Sequence, residues 1–193
     1  MEHITYSTLK DHEGLQFIDI RHQYDFQEGH LPGALNLIPD NFNKYAGYII
    51  DEGTRLVFVT DPKSQEGLEE IDEDSVPHSI QGYIMHEEID PKELVTLATI
   101  KAGDFLQLSS DYILLDVRHP DEITRPAPKK NLLNIPYEDL PGKLDLLKTA
   151  PIIYTLCGSG NRSTSVASYL KSQGYPVAVI AGGIKAIQEA QGL

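Results

Sequence analysis

The residues of this chain best suited to chemistry lie near its end, where the only cysteine, Cys157, is followed by Gly158-Ser159-Gly160-Asn161-Arg162-Ser163. An apolar run over 151–156 leads into them, and a helix-like stretch over 163–171 follows. A strand ending in Gly-Ser-Gly lets successive backbone N–H groups turn toward one point, and the positive end of the next helix dipole adds to them. Both effects favour a thiolate over a thiol and make Cys157 a nucleophile at neutral pH. The competing use of a lone cysteine is as a small buried packing residue. Packing requires neither the two glycines nor the arginine that follow Cys157 so closely, whereas an anion-holding loop uses all three.

The elements that must position this loop are duplicated. Ile18-Asp19-Ile20-Arg21-His22 recurs as Leu115-Asp116-Val117-Arg118-His119, 97 residues later. The strand-like run 56–60 recurs at 152–156, an offset of 96, so the two halves keep one internal spacing. On that register Asp61 takes the place of Cys157 and is followed by Pro62, and a carboxylate cannot act as a thiol nucleophile. Elements alternate within each half, which predicts α/β layering with a mainly parallel sheet. In the second half the pattern predicts a buried strand over 112–117, a turn-rich connection over 137–140, a short helix over 139–149 and a central strand over 152–156. A helix over 163–173, carrying Val166, Ala167 and Leu170, stops at Gly174. A strand over 176–180 and a terminal helix from Ile184, behind Gly182-Gly183, complete it. A turn from strand to helix places Cys157 at the carboxyl edge of the sheet, where open α/β sheets bind ligands. The boundary between halves is expected between Tyr83 and Pro91, giving domains 1–88 and 89–193, with Asp90-Pro91 starting a helix over 91–98.

The composition bounds the partners. All of the net charge of −13 on the 193 residues falls within 1–88, and residues 89–193 are balanced. No basic cluster suited to nucleic acid is present. The acid-rich stretch over 66–74 is read as a solvated segment, with docking of a basic partner as the alternative. No apolar run is long enough to span a membrane, and no basic-then-apolar leader opens the chain, so the expected location is cytoplasmic. One cysteine makes no internal disulfide, and neither it nor the seven histidines has zinc-site spacing, so no metal is expected.

At these residues the chain resembles the rhodanese superfamily, once in each half. In the first half the resemblance rests on Asp19-Ile20-Arg21 and Gly29-His30-Leu31-Pro32-Gly33-Ala34-Leu35-Asn36. In the second it rests on Asp116-Val117-Arg118, the loop from Cys157 to Arg162, Gly174-Tyr175 and Ala181-Gly182-Gly183. The first half lacks the cysteine, and the second has Ala127-Pro128-Lys129-Lys130-Asn131 in place of the Gly-His-x-Pro-Gly-Ala stretch. The resemblance implies two tandem rhodanese-like domains, inactive then active, each a mainly parallel sheet flanked by helices. It implies transfer of sulfane sulfur from thiosulfate or a low-molecular-weight persulfide to a thiol or cyanide through a Cys157 persulfide, with no cofactor.

Within that reading the N–H groups of residues 158–163 stabilise the persulfide anion, and Ser159, Asn161 and Ser163 can also donate to it. Ser163 can alternatively cap the helix. Arg162 either holds the loop backbone or attracts an anionic donor, and Lys129 and Lys130 are either a positive rim at its mouth or plain surface. Asp19, Arg21, Asp116, Arg118 and His30 read as fold-holding groups rather than catalysts. Two other readings stay open. A cysteine phosphatase is disfavoured by the four residues between Cys157 and Arg162, since resemblance to that class implies five. A non-catalytic persulfide carrier or sensor would pass its sulfur only to a docked protein.

Overall fold

In a computed structural model of the chain, residues 1–9, 13–75 and 79–193 are described, and they fall into two compact units, Met1–Thr96 and Leu97–Leu193. The first unit contains β1 (Leu15–Asp19), α1 (Gln23–Glu28), β2 (Leu35–Asn36), α2 (Pro39–Ile49), β3 (Arg55–Thr60) and β4 (Ser79–Met85). Its strands pair in parallel in the order β2-β1-β3-β4. After Arg55, every residue of β3 is buried, as a strand covered on both faces requires. Phe42 of α2 closes on Phe58 of β3 edge to face, with ring centroids 5.1 Å apart. Helix α2 opens on Pro39, whose missing N–H costs nothing in a first turn.

The second unit contains β5 (Thr99–Ile100), α3 (Ala102–Leu106), β6 (Ile113–Asp116), β7 (Leu132–Asn134), β8 (Ile153–Leu156), α4 (Asn161–Ser172), β9 (Val177–Ile180) and α5 (Gly183–Gln191). Its sheet is also parallel, in the order β5-β9-β8-β6-β7 with β8 at the centre. Removing β5 leaves the order of the first unit. Even β5 has a counterpart there, because His3 bridges to Tyr83 of β4 in parallel. Gly82 permits that approach: it has φ +145°, and a Cβ on it would stand 2.5 Å from the carbonyl oxygen of Glu2. One face of the second sheet packs Phe105, Tyr112 and Tyr154 into an aromatic triad with centroids 5.3–5.7 Å apart, beside Ile184 and Ile187 of α5. The predicted architecture, two tandem α/β units each with a mainly parallel sheet flanked by helices, is the one found.

Three local expectations are corrected. Residues 137–147 form 3-10 turns rather than an α-helix, because Pro141 lies within them and lacks the N–H that an α-helix would use. The helix expected over 91–98 is a single turn, Pro91–Glu93, with the Asp90 carboxylate accepting the Lys92 N–H at 3.0 Å. Beyond it, Val95 exchanges two backbone hydrogen bonds with His30, at 2.9 and 3.0 Å, so the chain runs extended and residues 89–96 pack with the first unit. Helix α4 begins at Asn161, two residues before the sequence pattern starts, because Gly160 at φ +111° supplies the turn into it.

Candidate active site

Cys157 follows the last residue of β8, at the carboxyl edge of the second sheet. The buried apolar face of β8 carries the chain to that edge, and Gly160 turns it into α4. The Gly160 N–H thereby donates to Cys157 Sγ at 3.1 Å. Sγ also lies 3.5 Å from Ser163 Oγ, which donates to the Gly160 carbonyl at 3.0 Å. Thr164 ties itself to the same carbonyl through its N–H at 2.9 Å and its hydroxyl at 2.8 Å. From β8 beneath, the Thr155 hydroxyl holds the Ser163 carbonyl at 3.0 Å. The loop is thus cross-braced to the sheet and to the first turn of α4. Cys157 is only 2% exposed; its sulfur receives the Gly160 N–H and faces the Ser163 hydroxyl oxygen, whose hydrogen is committed to the Gly160 carbonyl.

The far side of the loop is fixed by α5. The amides of Ile184 and Lys185 donate to the carbonyls of Cys157 and Gly158, at 2.9 and 3.4 Å. Only glycine fits at 183: its φ is +62°, and a Cβ there would stand 2.5 Å from the Cys157 carbonyl oxygen.

The sequence-derived site residues divide. Cys157, Gly160 and Ser163 come together around the sulfur. The helix cap falls at Gly160, so Ser163 sits in the first turn of α4 and braces the loop instead of capping the helix. Ser159 is exposed, Gly158 is half-buried, and Asn161 has its Oδ1 buried without a hydrogen-bond partner. Arg162 directs its guanidinium as a fork onto both carboxylate oxygens of Glu122, with Nη2–Oε2 at 2.8 Å. That hydrogen-bonded fork holds the Glu122 carboxyl below the usual glutamate range, reinforced by the His119 N–H at 2.7 Å. Lys129 and Lys130 are not at the mouth of the loop. They precede β7, whose parallel pairing with β6 puts its start at the amino edge, opposite Cys157. Lys130 there donates to the Leu108 carbonyl at 2.9 Å and lies over the Tyr112 ring.

Asp116 and Arg118 are buried, with Nε and Nη2 of Arg118 on the carboxylate at 2.6–3.2 Å. Asp19 and Arg21 repeat this at 2.6–3.2 Å. His30 is stacked on Phe26, with its Nδ1 2.8 Å from the Phe26 carbonyl. Two residues of this framework had no role assigned from the sequence, although Asn36 lies in the quoted motif. Asn134 Nδ2 donates to the carbonyls of Asp116 and Arg118, both at 2.9 Å, and Asn36 Nδ2 does so to those of Asp19 and Arg21, both at 3.0 Å. The Leu-Asn pair at 35–36 and again at 133–134 was the available signal. Glu122 was missed because no local pattern joins it to Arg162, 40 residues away. Among the described residues no group of His, Cys, Asp and Glu could hold a metal, and no described helix is long and apolar enough to cross a membrane.

The rhodanese-like domain model matches residues 5–71 and 101–190. The putative sulfurtransferase YtwF of Bacillus subtilis (strain 168) is 27% identical over 94 residues, spanning 49% of this chain and 90% of that protein. Among solved structures, a rhodanese-related protein from Thermoplasma volcanium is 30% identical, with a TM-score of 0.44 over 48% of this chain and 91% of that one. A thiosulfate sulfurtransferase from Pseudomonas aeruginosa is 18% identical, with a TM-score of 0.43 over 96% of this chain and 38% of that one. With both of its halves matched, this chain belongs to the rhodanese-like domain family.

Proposed function

We propose that the chain is a sulfurtransferase whose second unit carries sulfane sulfur on Cys157, with thiosulfate or a low-molecular-weight persulfide as donor and a thiol or cyanide as acceptor. The observation that carries this reading is the Gly160 N–H aimed at Sγ from 3.1 Å in a loop braced on both sides. The naming of the Bacillus subtilis relative as a putative sulfurtransferase supports the same general activity.

In the first step the Cys157 thiolate attacks the outer sulfur of thiosulfate. The Sγ–S bond forms as the donor S–S bond breaks, and the electron pair departs with sulfite. The product, Cys157–S–S⁻, bears its charge on the outer sulfur, and the amides of residues 158–163 are the donors assigned to it. Preorganised donors of this kind stabilise a developing charge by roughly 3 kcal/mol each. Ser163 can rotate its hydroxyl from the Gly160 carbonyl to the sulfur when the thiol proton leaves. The acceptor thiolate then attacks the outer sulfur and regenerates Cys157. With no second cysteine in the chain, discharge requires an external acceptor.

The test is intact-protein mass spectrometry after incubation with thiosulfate. A gain of one sulfur atom on Cys157, removed by added thiol with turnover, is expected. Loading without turnover would favour the carrier reading, and no loading by thiosulfate or glutathione persulfide overturns the proposal.

A further inference from the structure

The lining of the carboxyl edge of the second unit bears on the choice of donor. The one cation in the Cys157 loop, Arg162, is neutralised by the two-pronged pair with Glu122. Two other cations lie at the same edge. Arg125 belongs to the segment after β6, and its carbonyl accepts from Arg118 Nη1 at 2.9 Å, which fixes that segment beside the buried Asp116–Arg118 pair. Lys185 lies in the first turn of α5, and its own amide donates to the Gly158 carbonyl, one residue from the nucleophile. Arg125 and Lys185 line one cleft of about 490 Å³ with Gln188, Glu189 and Leu193. Both residues are exposed, and Glu189 is the acidic residue among those that line the cleft.

Resting on the sulfurtransferase reading of Cys157, we propose that this cleft binds the carboxylates of the donor thiol, so that the preferred donor is a carboxylate-bearing organic persulfide rather than an inorganic oxyanion. Three observations combine in this. The loop arginine has its fork occupied, so a small dianion finds no open guanidinium at the sulfur. The cleft meets the loop at Lys185, whose amide holds the Gly158 carbonyl, so a donor long enough to pass Gly158 from Cys157 brings its carboxylate to the cleft. The two cations differ in kind: the planar fork of Arg125 suits a bidentate carboxylate, and the Lys185 ammonium suits a second, less oriented one.

Transfer from such a donor balances without a redox partner. The Cys157 thiolate attacks the outer sulfur of R–S–SH, the Sγ–S bond forms, the donor S–S bond breaks, and the proton on the outer sulfur passes to the departing thiolate to give R–SH and Cys157–S–S⁻.

The experiment compares three donors on the full chain and on Arg125→Gln, Lys185→Gln and the double variant: glutathione persulfide, the uncharged persulfide of 2-mercaptoethanol, and thiosulfate. For the double variant KM for glutathione persulfide is expected to rise about fivefold, the scale of exposed ion pairs, with kcat unchanged. KM for the other two donors is expected to stay within about twofold of the parent, a change smaller than one exposed pair provides. An equal rise for all three donors, or none for glutathione persulfide, overturns the carboxylate cleft while leaving Cys157 chemistry standing. Absence of sulfur loading on the parent chain by every donor removes the underlying reading, and this inference with it.

Discussion

The two units share a framework and differ in what is mounted on it. In each, a buried Asp–Arg pair follows a strand, and an asparagine on the neighbouring strand ties down the carbonyls on either side of the intervening residue. Where β8 delivers Cys157, β3 delivers Asp61, whose own carboxylate accepts the amides of Lys63 and Ser64 at 3.0 and 2.8 Å. The first loop supplies its own anion, and the second leaves its amides to a sulfur. The difference extends to the following element. After Cys157 comes α4, twelve residues long; after Asp61 come the 3-10 turns Gln65–Glu70 and Glu73–Ser75, in the acid-rich stretch. The first unit thus has neither the thiol nor a long helix behind it, and the cleft at Asp61 is lined by Asp25, Glu28, Asp61 and Glu87 beside Arg21 and His86. Burial pushes His86 below the ordinary histidine range, and Arg21 adds to that. Such a lining suits no anion.

The sharpest way to break this contrast is to exchange the nucleophile. Cys157→Ser is expected to reduce sulfur transfer to background with the circular dichroism spectrum unchanged. Adding Asp61→Cys to that variant is expected to restore none of it; turnover from the double variant would show that neither the helix nor the glycine loop is needed. Next in size is the framework. Asp116→Asn and Asp19→Asn each leave an arginine buried without its charge partner and should each cost about 3–5 kcal/mol in urea unfolding. A much smaller loss for Asp19→Asn would mean that the first unit depends less on its framework than the second. Asn134→Ala removes two hydrogen bonds to buried carbonyls, and a loss of about 1–3 kcal/mol is expected in the same measurement.

The smallest effect concerns Glu122. The carboxyl is held below the ordinary range, so its contribution is complete at neutral pH, above the unfolded value, and is lost as pH falls through the lowered folded value. Glu122→Gln, which frees the charge of Arg162, should raise kcat/KM for thiosulfate about threefold at pH 7, the scale of one exposed ion pair. That gain should shrink on acidification, as the parent loses the same interaction. A gain that does not depend on pH would assign the effect to something other than the ion pair.

What the sequence made legible was whatever repeats or sits together. Ile18 to His22 and Leu115 to His119 marked the duplication, and Cys157 to Arg162 marked the loop, because one short segment contains each signal. Groups joined only by the fold were not legible. Glu122 meets Arg162 from another loop, and Arg125 and Lys185 share a cleft from segments 60 residues apart. For the same reason the sequence left Lys129 and Lys130 between a positive rim and plain surface, since position along the chain does not say at which edge of a parallel sheet a residue emerges, and plain surface is what stands. The helix expected over 91–98 failed differently: its capping signal at Asp90-Pro91 was real, but pairing of Val95 with His30 outweighed continuation of the turn.

The Gly182–Gly183 turn has a consequence for how reliably the nucleophile is served. Because the amides of Ile184 and Lys185 engage the carbonyls of Cys157 and Gly158, neither peptide plane can rotate end over end without forfeiting a hydrogen bond to α5. Such a rotation would swing an oxygen lone pair toward the sulfur and repel negative charge. The terminal helix therefore acts as a ratchet on loop polarity, keeping electron-rich atoms turned away from the sulfur.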